Sequence, residues 1–110
     1  MDIHPINEGH LLVVPNRHVE RFTELTEDEA GDLFSTGQKI LKALQKSDVR
    51  CEGANLFLSD GSVAGQEVDH SHLHVVPRFI GDGQRIGFKH ASNVSKERLN
   101  AIASSIGENF

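Results

Sequence analysis

"HSHLHVV", residues 70–76, places three of the chain's seven histidines at every second position. Side chains on a strand alternate between its two faces, so His70, His72 and His74 share one face with Val76. Ser71, Leu73 and Val75 take the other. With a rise of about 3.3 Å per residue, neighbouring histidines on that face lie roughly 6.5–7 Å apart along the strand. Leu73 and Val75 can pack beneath a helix while the histidine face looks toward solvent or a ligand.

The segments around this stretch supply that helix and the neighbouring strands. "GHLLVVP" (residues 9–15) is an apolar, β-branched run between Gly and Pro and reads as a buried strand. In "LTEDEAGDLFSTGQKILKALQKS", Thr26 and Glu29 form a capping box with acidic residues in the first turn. Ala30, Leu33, Phe34, Gly37, Ile40, Leu41 and Leu44 recur at helical spacing, and Gly37 inside that stripe points to close packing. "ANLFLSD" (residues 54–60) reads as a second strand, "DHSHLHVVPRF" as a third, and "GDGQ" (81–84) as a turn or mobile loop. "SKERLNAIASSI" closes the chain as a helix capped by Ser95, with Leu99, Ile102, Ala103 and Ile106 on one face. Strand, helix, strand, strand, helix describes an α+β domain, with helices against one face of a small antiparallel sheet.

Composition narrows the classes. One domain suits 110 residues, of which 37% are apolar and 25% charged. No run is long and apolar enough for a membrane span, and no signal peptide stands at the start, so a cytoplasmic location is expected. Cys51 is the only cysteine, which excludes an intramolecular disulfide and a cysteine-based zinc cage. A net charge of −5 argues against a general nucleic-acid binder. It does not argue against a site for one phosphorylated small molecule, which relies on local donors. With neither Trp nor Tyr, a base would stack on Phe, His or aliphatic side chains.

Three readings fit the alternating histidines. They could be polar residues of a half-buried sheet with no further role. They could bind zinc, with His10 or His18 as a further ligand, although no acidic or cysteine partner stands at an obvious spacing. Or one imidazole could attack while the others orient it, move protons or bind an anion. "DGSVAGQEV" (residues 60–68) favours the third. Its glycines and small residues can bring backbone N–H groups close to phosphate oxygens immediately before the histidines.

"GQEVDHSHLHVVPR" resembles the signature of the histidine triad (HIT) family, His-x-His-x-His-x-x. "GHLLVVPNRHVERFTEL" and "DIHPINEGH" resemble the family's other recurring segments, in a form close to the bacterial and fragile-histidine-triad branches. The resemblance implies a HIT-like fold over residues 1–110 and a nucleotidyl hydrolase or transferase. It assigns the nucleophile to His72, which would form a covalent nucleotidyl-histidine. His70 and His74 would orient His72 and stabilise phosphoryl oxygens, and His10 would contact His74 or the phosphate. Asp2 would bind the ribose hydroxyls, and Gly65 and Gln66 would offer backbone donors to the α-phosphate. Ser59 stands where relatives carry Asn or Gln at the phosphates. The implied partners are a purine nucleotide substrate and a second copy of the chain. No nucleic acid, membrane, metal or other cofactor is called for. In some relatives the position of His18 joins His70 and two N-terminal cysteines at a structural zinc; without those cysteines no such site is expected. His18 and His90 therefore read as surface or loop residues.

The sequence departs from the family in four respects. Relatives usually carry a further segment before Asp2, so the sequence reads as a naturally short version, a late start-codon assignment or a fragment, and without that segment a sheet edge is expected to be open. Ser59 is shorter than Asn or Gln and would reach phosphate through water. Glu67 occupies a position where several branches carry Ser or Thr beside the leaving group, and Asp69 replaces an apolar residue or proline. These departures keep open a second reading, a catalytically weak nucleotide-binding or scaffold protein.

Overall fold

In a computed structural model that describes residues 2, 4–89, 91 and 93–110, the elements run β1 (Leu11–Val13), α1 (Glu27–Lys46), β2 (Gly53–Leu58), β3 (Leu73–Arg78) and α2 (Lys96–Glu108). Short 3-10 turns lie at Phe22–Glu24 and Ser62–Ala64. The order matches the one read from the sequence, and His90 lies outside the described residues. The sheet order is β1-β3-β2 with both pairings antiparallel. Leu73 pairs with Val13 on one side and Leu58 on the other, and His74 with Leu12 and Phe57.

The strand carrying the histidines is shorter than the alternation predicts. It begins at Leu73 because both neighbouring strands end opposite that residue. Upstream of it, Ser71 N–H turns aside to donate to Val19 O at 2.6 Å. Only His74 of the triad therefore lies within the paired strand.

α1 follows its capping signal. Thr26 Oγ1 accepts from Glu29 N–H at 3.1 Å, and Glu29 Oε1 accepts from Thr26 N–H at 2.9 Å. Arg17 grips the same carboxylate at 2.7 and 3.1 Å, and these bonds hold the Glu29 pKa down to about 2. The helix lays Leu33, Gly37 and Leu44 on Leu73 and Val75, the fully buried residues of the sheet's inner face. Gly37 marks the closest approach: a Cβ there would come within 2.8 Å of Leu73 Cδ2 and 3.3 Å of Leu56 Cδ2. The close packing read from its position in the stripe is what the structure contains. Phe34 lies at the stripe's margin and is 44% exposed.

α2 forms with its predicted cap, Ser95 Oγ accepting from Arg98 N–H at 3.1 Å. None of its residues is buried, and Leu99 and Ile106 are more than half exposed. The expectation of two helices on one face thus holds for α1 alone. α1 already covers Leu73 and Val75, and the opposite face is the one that bears His74 and Phe57.

The turn at 81–84 is pinned. Asp82 accepts from Arg78 Nε at 2.7 Å, Arg78 Nη2 at 3.2 Å, Asn7 Nδ2 at 3.0 Å and Gln84 N–H at 3.0 Å. Asn7 Nδ2 also donates to Pro77 O at 2.9 Å, just beyond Val75, opposite which β1 begins.

Candidate active site

The tautomer of His72 follows from a single contact. Its Nδ1 lies 2.8 Å from the carbonyl oxygen of His70. A carbonyl only accepts, so Nδ1 carries the proton and Nε2 keeps its lone pair. The backbone of the first triad histidine thereby orients the second. The expectation that the His70 imidazole does this work is corrected. That ring points the other way, with Nε2 donating to Pro15 O at 3.2 Å and Nδ1 lying 3.2 Å from His18 Nδ1. With its Nε2 donating, neutral His70 accepts at Nδ1, so His18 is the donor. His18 is solvent-exposed as read, yet it packs edge-on against His70 with ring centroids 4.6 Å apart.

A second chain of bonds sets His74. Ile6 N–H donates to His10 Nδ1 at 3.0 Å, so the His10 proton sits on Nε2. That Nε2 lies 2.9 Å from His74 Nδ1, which must accept, leaving His74 with its proton on Nε2. Both rings are held neutral. Burial, aided by the charge His72 can carry, lowers His10, which is only 1% exposed. Burial, together with His72 and His10, lowers His74 to about 4. The backbone at Ile6 thus dictates, through two imidazoles, a neutral ring beside His72 whose Nε2–H has no partner among the described residues.

These groups line a cleft of about 550 Å³ that gathers six of the sequence-assigned residues: Asp2, His10, Ser59, Gly65, His72 and His74. The volume falls in the range of small-molecule sites. Phe57, Leu12, Ile6 and Val68 supply its apolar wall. Phe57 was not singled out from the sequence. It stacks on His74 with ring centroids 4.3 Å apart and planes 14° from parallel. Its signal was the register, since Phe57 sits directly opposite His74 in the sheet. Glu67 also lines the cleft.

Two assignments do not survive in the form expected. Gly65 N–H is already bonded to Ser62 O at 3.0 Å and Gln66 N–H to Gly61 O at 3.1 Å. Neither is a free donor for phosphate, because the loop closes on itself as a 3-10 turn. Gln66 lies outside the cleft lining: its side chain accepts from Gly61 N–H at 2.7 Å and donates to Glu20 O at 2.8 Å. Its role is to brace the loop. Gly65 contributes a wall without a side chain, at a φ of +98° that favours glycine.

Asp2 Oδ1 accepts from His4 N–H at 2.9 Å, the main cause of its lowered pKa, and Oδ2 lies 3.7 Å from His10 Nε2. Asp2, His10 and His74 each offer one possible metal-ligand atom within 4.8 Å of the others. His10 Nε2 and His74 Nδ1 are spent on each other in the bond just described.

A family model described as HIT domain matches residues 1–81. An uncharacterized HIT-like protein of Methanocaldococcus jannaschii is 40% identical over 99 residues, covering 90% of this chain and 75% of that protein. A bifunctional bis(5′-adenosyl)-triphosphatase/adenylylsulfatase of Arabidopsis thaliana is 40% identical over 85 residues, 77% of this chain and 47% of its own length. The crystal structure of a HIT family protein from Bacillus anthracis superposes with a TM-score of 0.88 at 35% identity, covering 100% of this chain and 79% of that one.

Proposed function

The chain belongs to the HIT domain family, and from that premise we propose that it is a nucleotide hydrolase or transferase working through a covalent nucleotidyl-histidine on His72. The observation that carries this reading is the 2.8 Å bond from His72 Nδ1 to His70 O, which in the neutral ring leaves the lone pair on Nε2 of a residue that lines the cleft. Nε2 attacks the α-phosphorus of a dinucleoside polyphosphate or nucleoside phosphoramidate, and the leaving group departs on the far side. Water then cleaves the new P–N bond and releases a nucleoside monophosphate; another acceptor in place of water makes the reaction a transfer. His74 Nε2–H donates to a phosphoryl oxygen as negative charge develops there. Because His74 and His10 are both neutral, this is hydrogen-bond stabilisation rather than net proton delivery. Phe57, Ile6, Leu12 and Val68 offer the base an apolar wall, and Asp2 offers a carboxylate to the ribose hydroxyls.

The protein works in the cytoplasm as a homodimer. The uncovered face of α2 and the outer edges of β1 and β2 support the second copy. No described helix is long and apolar enough to cross a membrane.

Rapid quenching of the protein with adenosine phosphoramidate or diadenosine tetraphosphate, followed by intact mass measurement, tests the mechanism. The expected result is an adenylyl adduct mapped to His72, absent in His72→Ala while its far-ultraviolet circular dichroism is retained. Turnover by folded His72→Ala would sink the mechanism.

A further inference from the structure

Asn7 does not line the histidine cleft, but it follows Ile6, whose N–H fixes the His10 tautomer. β1 begins opposite Val75, so among the described residues no strand partners Pro77 on that side. Proline has no N–H to leave unpaired at such an edge, and its carbonyl accepts from Asn7 Nδ2 at 2.9 Å. The same Nδ2 donates to Asp82 Oδ2 at 3.0 Å. A carbonyl and a carboxylate only accept, which assigns the amide nitrogen of Asn7 to this side.

Asp82 is itself fixed. Its side chain is 4% exposed and accepts from Arg78 Nε at 2.7 Å, while Arg78 Nη1 donates to Asn55 Oδ1 on β2 at 2.8 Å. The Arg78 guanidinium holds the Asp82 carboxyl well below the usual carboxylate range, so Asp82 stays an acceptor at neutral pH. A second tie comes from the same turn, where Gln84 Nε2 donates to Ile6 O at 3.1 Å. Asn7 O in turn accepts from His10 N–H at 3.1 Å. The turn at 81–84 thus grips both Ile6 and Asn7, although none of Asn7, Arg78, Asp82 and Gln84 lines the cleft.

We infer that Asn7, Asp82 and Gln84 are positioning residues: from outside the cleft they hold Ile6 N–H on His10 Nδ1, and so set which nitrogen of His74 carries its proton. For its effect on rate the inference rests on the reaction at His72 proposed above; for its effect on the tautomers it does not. Without these ties nothing aims Ile6 N–H at the ring, and a neutral His10 can carry its proton on either nitrogen. With that proton on Nδ1, His10 Nε2 becomes an acceptor and His74 donates to it from Nδ1. His74 Nε2 then has no hydrogen to offer a phosphoryl oxygen, and the stabilisation it supplies to the transition state is lost.

The test compares wild type, Asn7→Ala and Gln84→Ala. Gln84 is exposed and its side chain gives up a single bond, so that variant keeps the test decisive if Asn7→Ala does not fold. Nitrogen-15 NMR at pH 7 reads the ring tautomers, and kcat, KM and the adenylyl adduct are measured with adenosine phosphoramidate. Wild type is expected to show one tautomer each for His10 and His74, and both variants a mixture with Nδ1-protonated rings. In Asn7→Ala kcat should fall by about tenfold, and in Gln84→Ala by less, with KM within about twofold of wild type. A merely structural role would lower the melting temperature and leave the tautomers alone. Wild-type tautomers in the folded variants overturn the assignment whatever kcat does, and shifted tautomers with unchanged kcat overturn its link to the reaction. A wild type that forms no adduct and turns nothing over overturns the His72 mechanism instead, and the tautomers then decide the positioning role by themselves.

Discussion

His70 and His72 meet through a backbone oxygen: the His70 carbonyl accepts from His72 Nδ1 at 2.8 Å, while the His70 ring is turned to Pro15 O and His18. Orientation of the nucleophile thus survives loss of the His70 side chain. Turnover of adenosine phosphoramidate by His70→Ala should exceed that of His72→Ala by a factor on the order of 10² or more. Equal losses in the two variants would show that the His70 imidazole itself takes part.

The bond sequence Ile6 N–H, His10, His74 predicts distinct tautomers for adjacent histidines. Nitrogen-15 NMR of labelled protein at pH 7 should find His72 protonated on Nδ1, and His10 and His74 protonated on Nε2. Substituting His10→Ala frees His74 Nδ1 to take either role, and kcat should fall by up to about 10²-fold with a smaller change in KM. An unchanged kcat in a folded His10→Ala protein would remove the relay from the mechanism.

Burial lowers His74 to about 4, against an ordinary histidine value near 6.5. Between those two pH values the unfolded chain binds a proton that the folded site refuses, so stability rises with pH across the interval. The contribution is complete above about pH 6.5 and lost as the pH falls toward 4. Thermal melting from pH 4 to 7 should show this slope, and His74→Phe should flatten it. A His74→Phe profile parallel to wild type would contradict the buried, neutral assignment.

Gly37 is the contact point of α1 with Leu73 and Leu56. A valine there gains the helix preference that glycine lacks but forces branched carbons into space already filled, for a net loss of about 2 kcal/mol. Urea denaturation of Gly37→Val measures it, and stability equal to wild type would mean that the sheet gives way without cost. Gly31, on the same helix, provides the contrast, because nothing lies within 4 Å of where its Cβ would stand. Gly31→Ala should therefore be stabilising.

Much of this molecule is local and therefore legible. Thr26 and Glu29 satisfy each other's backbone donors within one turn, so the start of α1 follows from four residues. Leu73 and Val75 had to face the helix once His74 faced the cleft, because a strand permits only two directions. The loop before the triad was less legible. Gly65 and Gln66 looked like phosphate donors, but their N–H groups were consumed by carbonyls of the loop's own turn.

Sequence alone determined the order of elements, the capped amphipathic helix, the division of faces on the histidine strand and the kinship of its motif. All of these rest on spacing along one segment. Only the tertiary structure decided what each imidazole does. His72 takes its tautomer from a carbonyl, and His74 takes its own from His10, 64 positions away. His70 leaves the cleft for His18, 52 positions away, and Phe57 reaches His74 only because two strands align in register. A hydrogen bond depends on which lone pairs and protons meet in space, and alternation in a sequence carries no record of that.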